Sequence, residues 1–435
     1  MNKICIRHED KYQHERRAPI IPEHVKQLIR NKKIDLFVES SERRIFSDAE
    51  YAEAGATIVD DTSECNVIMG VKEIPMKHFE PEKTYIFFSH TIKGQPHNMA
   101  MLKRLMELKC NLIDYERIVN ERDQRMVFFG HYAGLAGMID SLWSLGRRLQ
   151  TMGIQTPFDK LKQAIHYPSL QEAFEAISEV GHQIASEGLP AEIHPLTIGI
   201  TGAGNVSIGV QEILSLLPVK EITPENLHCL DKRRNLANNL IYKVLFQKRH
   251  LSTNRDGFPF NDEDYKANPE NYTGIFESHL PKLSMLINGM YWDARFPRLV
   301  TKKYLRQAFS EGTPKLLVIG DITCDVNGSI EITHKGTGID DPVYVYNPLT
   351  DVPTMGFEGD GILVMSVDIL PAELPRDASR EFSDAMLTLI KPLANCDFSR
   401  PFAELNLPRP LKKAMILHHG KLTHDYRYMQ EFIKQ

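Results

Sequence analysis

The stretch Leu196-Thr197-Ile198-Gly199-Ile200-Thr201-Gly202-Ala203-Gly204-Asn205-Val206-Ser207 decides how the chain is read. Its first five residues are apolar and branched without strict alternation, as in a strand buried on both faces. After the glycines the period changes. Val206, Val210, Ile213 and Leu217 recur at three- and four-residue spacing, the stripe of a helix packed on a sheet. Strand, glycine turn and helix in that order make a phosphate site, with Gly202 permitting the tight turn and Gly204 letting a pyrophosphate approach the helix's positive end. Ser207 stands where this motif usually has Gly or Ala, so the match is incomplete.

Working outward, the first 130 residues alternate apolar runs with helical stretches. Strands are expected at 3–6, 34–38, 66–70, 85–88 and 111–113, with helices at 22–30 and 96–109. Such alternation predicts a parallel α/β sheet. Behind these strands come Arg7 and Glu15-Arg16-Arg17, then Lys72-Glu73, then His90 and Lys93, then Glu116. Parallel strands share one carboxyl edge, where ligands bind, so these groups are expected to converge. Gly130 to Gly153 reads as one long helix with the stripe Leu135, Met138, Leu142, Leu145, Leu149 and Met152, and Gly134 and Gly137 allow close packing.

Beyond the glycine turn, Val219–Thr223 is expected as the second strand. Glu221 and Glu225 flank its end as candidate ribose ligands, while Lys232-Arg233-Arg234 would suit a 2′-phosphate. The polar stretch Asn226 to Pro281 reads as an insertion. Strands resume at 283–288 and 315–320, followed by Asn288 and Asp325 on the same edge. Residues 338–360 look like a loop, and a helix is expected over 377–390. The expected fold is thus α/β: two Rossmann-like domains with parallel sheets, joined by a long helix, with a cleft between them. Residues 1–135 and 345–435 would form the substrate and catalytic domain, and 136–344 the NAD(P)-binding domain with its insertion at about 226–281.

Composition excludes other classes. A net charge of -5 gives no general affinity for nucleic acid or anionic membrane. No apolar run approaches the ~20 residues that span a bilayer, and charge arrives too early at the N-terminus for a signal peptide. Six cysteines without a CxxC pair suit reduced thiols in the cytoplasm better than disulfides or zinc.

Lys72, His90 and Glu116 form an acid–base set, because crowding or burial can strip a lysine of charge and histidine titrates near neutrality. Arg17, Lys93 and Arg125 suit carboxylates. Taken singly, each reads more readily as an ordinary loop charge, and Asp325 as a turn or capping residue.

In order, the segments Glu15-Arg16-Arg17-Ala18-Pro19, Gly70-Val71-Lys72-Glu73, Phe87-Phe88-Ser89-His90-Thr91-Ile92-Lys93, Leu112-Ile113-Asp114-Tyr115-Glu116, Gly130-His131-Tyr132-Ala133-Gly134 and Ile287-Asn288-Gly289-Met290-Tyr291-Trp292 resemble the lysine–ketoglutarate reductase half of the bifunctional aminoadipic semialdehyde synthases. That family is similar to the lysine-forming saccharopine dehydrogenases and, more remotely, to alanine dehydrogenase. The resemblance implies condensation of lysine with 2-oxoglutarate and reduction of the imine by NADPH, or by NADH, to saccharopine. It implies Lys72 and His90 as the acid–base pair, Glu73 and Glu116 tuning them, Arg17, Lys93 and Arg125 on carboxylates, and Phe129 lining the pocket. Gly202, Ala203, Gly204, Asn205, Val206, Ser207, Asn288 and Asp325 would hold the dinucleotide. A separate saccharopine-oxidising enzyme is expected to take the product on. Two other readings are an alanine-dehydrogenase-like reaction on a smaller 2-oxo acid and a non-catalytic NADP or lysine sensor. The several separate cations argue against the first, and the intact Lys72, His90 and glycine turn against the second.

Overall fold

The computed structural model describes residues 1–32, 34–230, 236–312 and 314–434. The basic run Lys232-Arg233-Arg234 lies outside the described residues. Two compact units emerge: Met1–Phe129 with Pro375–Gln435, and Gly130–Leu374. The first contains β1 (Ile4–Ile6), β2 (Leu36–Glu39), β3 (Thr57–Val59), β4 (Val67–Met69), β5 (Thr84–Phe87) and β6 (Asn111–Asp114). In the second are β7 (Thr197–Thr201), β8 (Val219–Glu221), β9 (Ile241–Phe246), the hairpin β10 (Ser252–Asn254) and β11 (Tyr272–Gly274), then β12 (Met285–Asn288), β13 (Val318–Asp321), β14 (Val343–Asn347), β15 (Val352–Met355) and β16 (Ile362–Met365). Strands β17 (Met415–His418) and β18 (Lys421–Leu422) belong to the first unit again.

The first sheet runs β18-β17-β6-β5-β4-β1-β2-β3. All pairs from β6 to β3 are parallel, and β17 joins β6 antiparallel. β1, β4, β5 and β6 are buried along their whole length, which is why they read as unbroken apolar runs. From β1 the chain winds first one way, to β2 and β3, then the other, to β4. A switch of this kind opens a crevice beyond the carboxyl ends of β1 and β4. Helices α1 (Pro22–Lys32), α2 (Asp48–Glu53) and α3 (Pro96–Glu107) cover this unit's sheet. α2 begins with a reciprocal cap in which Ser47 Oγ accepts from the Glu50 N–H and the Ser47 N–H donates to Glu50 Oε2.

The second sheet runs β15-β14-β16-β13-β12-β7-β9-β8. It is parallel from β8 to β16, with an antiparallel edge of β14 and β15. Three expectations are corrected here. The expected insertion at 226–281 contains a central strand: Ile241, Tyr242, Val244 and Phe246 are buried in β9, which lies between β7 and β8. After β9, the β10–β11 hairpin and neighbouring turns stand outside the sheet order. Residues 338–360 are not simply a loop, since they form β14 and β15. Pro353 is tolerated because β15 is an edge strand, and Pro342 and Pro348 bracket β14 rather than interrupt it. Finally, residues 345–374 lie with the second unit, because β16 pairs with β13 inside its sheet.

Helices α4 (Gly130–Thr151), α5 (Leu170–Glu187) and α6 (Asn205–Leu214) pack on this sheet. α4 and α6 touch backbone to backbone. A Cβ on Gly134 would strike the Val206 carbonyl oxygen, and one on Gly209 would strike that of His131. The expected stripe of α4 is buried through Leu149, whereas Met152 lies just past the end of the helix and is exposed.

α4 also carries Asp140, fully buried beside the equally buried Glu373. The main-chain N–H of Ala164 donates to Asp140 Oδ1 at 2.8 Å and that of Ile165 to Glu373 Oε2 at 3.1 Å. The other two oxygens find no donor among the described residues, which a proton held between the carboxyls supplies. Burial pushes both groups up, Asp140 to about 7, and for Glu373 the nearby Asp140 charge adds to it. The folded chain therefore keeps a proton that the unfolded chain releases in the ordinary carboxylate range, so stability falls as pH rises toward about 7. Denaturant melts between about pH 5 and about pH 8 should show this decline, and Glu373→Gln should flatten it. A variant as pH-sensitive as the parent would contradict the shared proton.

Candidate functional site

In the first unit, the residues that follow β1, β4, β5 and β6 form one charged cluster. Glu9, beyond β1, is buried and accepts from the main-chain N–H groups of Val71 (2.6 Å) and Lys72 (3.0 Å), which fixes the turn carrying Lys72. Lys72 is half-buried, its Nζ 5.7 Å from the centre of the Tyr12 ring. Burial and then the Arg17 charge lower its pKa from the usual lysine value, against the pull of Glu15 and Glu73. A neutral amine is thus brought closer to neutral pH, as proton transfer to and from substrate requires.

Glu73 is held by His90 and Lys11. Its Oε1 lies 2.7 Å from His90 Nδ1 and its Oε2 2.9 Å from Lys11 Nζ. Burial would raise this carboxyl, but the hydrogen bond and charge of His90, with Lys11, hold it down at about 2. It is an anion that orients the imidazole and leaves Nε2 to face other groups. His90 itself has φ +50°, in the left-handed region where Asn, Asp and His occur more often than other side chains. Asn98 Nδ2 donates to its carbonyl at 3.0 Å and holds the turn.

Arg17 and Glu15 form a buried pair, with Nε to Oε1 at 2.8 Å and Nη2 to Oε2 at 2.5 Å. The guanidinium lies over the Phe129 ring at 4.1 Å, and Phe129 stacks on Phe382 at 5.0 Å. The side-on pair uses Nε–H and one N–H of Nη2, so the outward hydrogens of Nη1 and Nη2 are what Arg17 would offer a substrate carboxylate. Glu116 sits in the turn after β6, where its main-chain N–H donates to Asp114 and its carboxylate pairs with Arg125 at 3.6 Å. This makes Glu116 a partner of a candidate carboxylate-binding arginine. Lys93 lies in the exposed turn after His90. Asp114 is buried, accepts from the Ser89 hydroxyl and N–H, and is pushed up by burial to about 6. Glu9, Lys11, Tyr12, Ser89 and Asp114 join this cluster without having been singled out in the sequence, though the loop after β1 and the carboxyl edge already marked where to look.

In the second unit, Gly202 has φ +100°, and a Cβ there would lie 2.8 Å from the Gly289 carbonyl oxygen, so only glycine fits. Gly204 is the N-cap of α6 without any side-chain cap, and a Cβ on it would meet nothing within 4 Å. The first N–H groups of α6 are thus uncapped beside an open approach, with Ala203 and Asn205 exposed around it and Val206 half-buried behind. Ser207 is buried, and Gln211 Nε2 donates to its hydroxyl at 3.3 Å. The close-packing role of the motif's third glycine falls to Gly209 against α4. These features fit a pyrophosphate.

Asn288 is placed differently from expectation. Its Oδ1 accepts from Thr201 at 2.8 Å and its Nδ2 donates to Asp321 and Ser329, each at 2.9 Å. The side chain is fully buried and locks the ends of β7, β12 and β13 together, so it supports the dinucleotide edge without a free group for the ligand. Asp325 is exposed in the turn after β13. Glu221, expected as a ribose ligand, pairs with Lys243 at 2.7 Å on edge strand β8.

With this geometry, the similarities to known proteins have a clear meaning. Residues 5–136 match the alanine dehydrogenase/PNT N-terminal domain family. Over 97% of its length the chain is 38% identical to alpha-aminoadipic semialdehyde synthase of Arabidopsis thaliana, covering 40% of that protein. It is a relative of the aminoadipic semialdehyde synthases. The mitochondrial synthase of Rattus norvegicus is 36% identical over 98% of the chain, with 47% of the rat protein covered. The chain therefore spans less than half the length of these relatives. A saccharopine dehydrogenase (NAD⁺, L-lysine-forming) of Yarrowia lipolytica is 25% identical, with 88% of the chain and 90% of that protein aligned. Among solved structures, an L-alanine dehydrogenase superposes with a TM-score of 0.61 at 17% identity, covering 99% of both chains, which establishes the two-domain Rossmann-type fold. Among the described residues, no helix is long and apolar enough to cross a membrane.

The buried Arg17–Glu15 pair gives a direct test of the first cluster. Glu15→Gln leaves Arg17 charged and uncompensated and should destabilise the fold by about 3–5 kcal/mol, read from the denaturant midpoint. Replacing both residues by methionine should cost less. Equal losses would show that the pair is not compensating buried charge.

Proposed function

We propose that the chain is an NAD(P)-dependent oxidoreductase that condenses the side-chain amine of L-lysine with the 2-oxo group of 2-oxoglutarate and reduces the imine to saccharopine. The observation that carries this reading is the cluster of Lys72, Glu73 and His90 among several cations at one sheet edge. A dicarboxylate and an amino acid together need several cations, and an imine chemistry needs proton donors and acceptors at a carbonyl. The relatives support it: one class is named for lysine-forming saccharopine dehydrogenase activity and another for aminoadipic semialdehyde synthesis.

In this reading Arg125, Lys93 and the outward face of Arg17 bind substrate carboxylates, and Phe129 shapes the pocket around Arg17. His90, oriented by Glu73, takes the proton from the lysine ammonium. Lys72, with its lowered pKa, moves the proton released when the free amine adds to the carbonyl onto the resulting alkoxide, and His90 gives its proton to the hydroxyl as water leaves, so the iminium nitrogen keeps one hydrogen for the reduced product. The nicotinamide, when bound, supplies the hydride. Gly202 to Ser207 hold its pyrophosphate, and Asp325 stands on the same edge of the second sheet. NADPH is the proposed cofactor, and the cytoplasm the proposed compartment, since the cysteines are free thiols.

Oxidation of reduced nicotinamide should require lysine and 2-oxoglutarate together, and Lys72→Met should lower turnover by ~10²-fold or more with intact folding. Oxidation that ignores lysine, or proceeds instead with pyruvate and ammonia, would overturn the substrate assignment. Unchanged turnover in Lys72→Met would remove Lys72 from the proton path.

A further inference from the structure

Glu9 lies just beyond β1, and its side chain is buried. Among the described residues no cation forms an ion pair with it, because the neighbouring Arg7 sends Nη1 and Nη2 to Asp10 at 3.0 and 2.9 Å. Both carboxyl oxygens are instead spent on main chain. Oε1 accepts from the Val71 N–H and Oε2 from the Lys72 N–H. A Cβ on Gly70 would lie 3.2 Å from Oε1, so the carboxyl lies close against the backbone of the turn.

The turn is fastened differently on its two sides. Towards β5, the Gly70 N–H donates to the Ile86 carbonyl and the Phe88 N–H to the Val71 carbonyl, both at 3.0 Å. Those bonds reach as far as Val71. The main-chain N–H of Lys72, whose amine moves protons in the proposed reaction, is met by Glu9. Burying a carboxyl without a cation is costly, and an uncharged side chain with one oxygen would satisfy one such N–H. A carboxylate, with acceptors on both oxygens and no proton of its own, meets two adjacent N–H groups at once. Burial, then the Glu15 charge, push this carboxyl up to about 7, against the two N–H bonds and Arg7.

We propose that Glu9 is a positioning residue for Lys72, holding the reactive amine in place through the main chain of its turn. This rests on the reading of Lys72 as a proton-transfer group. A displacement of about 1 Å at such a group lowers turnover steeply. Glu9→Gln supplies one, because the amide nitrogen accepts nothing and would meet one of the two N–H groups donor to donor.

Steady-state kinetics of the full chain with lysine, 2-oxoglutarate and reduced nicotinamide dinucleotide, at alkaline pH where Glu9 is ionised, test the role. Glu9→Gln should lower kcat by roughly tenfold or more and leave the KM of each substrate within about twofold. In a Lys72→Met background the same change should lower kcat no further, because a group that acts through Lys72 has nothing left to position. A general loosening of the fold would instead multiply the two losses. Gly70→Ala crowds the same carboxyl and keeps every charge, so it should repeat the pattern, and it decides the matter if Glu9→Gln does not fold. Unchanged kcat in a folded variant, a loss carried by KM, or losses that multiply in the double variant would overturn the role of Glu9 while leaving the reaction in place. A parent without turnover on these substrates, or unchanged turnover in Lys72→Met, would overturn the reading of Lys72 and this proposal with it.

Discussion

Parallel pairing gives a sheet a direction, and the placement of every candidate site residue depends on it. With β1, β4, β5 and β6 aligned the same way, Glu9, Lys72, His90 and Glu116 emerge from one edge although more than a hundred residues separate the first from the last. Reversing a single strand of four residues would carry its following group about 13 Å to the opposite edge. The same constraint in the second sheet sets Gly202 and Asp325 along one edge, with Asn288 knotting the strand ends behind them. Right-handed crossovers through helices are what make such pairing available to the chain.

On that edge, charge is arranged in compensating groups. Arg17 is buried because Glu15 is, and the pair's residual field, with Lys11 and Glu73, acts on Lys72. Had Lys72 a single carboxylate partner it would be a permanent cation. Placed between cations and anions in a half-buried turn, it has its charge weakened by burial. Glu73 takes the opposite path and stays ionised between His90 and Lys11. Two neighbouring residues on one turn thus acquire different protonation tendencies from their surroundings.

Much of this was legible in the order of residues. Strands buried on both faces leave unbroken apolar runs, and β1, β4, β5 and β7 were read from theirs. Gly134 signalled close packing through its small size, and the structure shows the backbone it approaches. What stayed hidden depended on partners far along the chain. β9 was lost in a polar stretch because its six residues are flanked by Asn, Lys and Arg, and no local feature tells that it enters the sheet between β7 and β8. The free-looking Asn288 is consumed by Thr201, Asp321 and Ser329, each from a different part of the second unit. Asp140 and Glu373 are unremarkable letters until packing brings them together without a cation. Edge strand β15 was masked by Pro353, which argues against a strand only where both sides must be paired.

The reaction itself is tested most directly by the fate of the transferred hydrogen. The chain would be incubated with lysine, 2-oxoglutarate and reduced nicotinamide dinucleotide carrying deuterium at the transferable position, and the products analysed by mass spectrometry. The account predicts one product with the combined mass of lysine and 2-oxoglutarate less water, plus the two hydrogens of reduction, bearing deuterium on the carbon that was the 2-oxo carbon. Oxidised dinucleotide without that adduct, or deuterium in an amino acid formed from free ammonia, would contradict it.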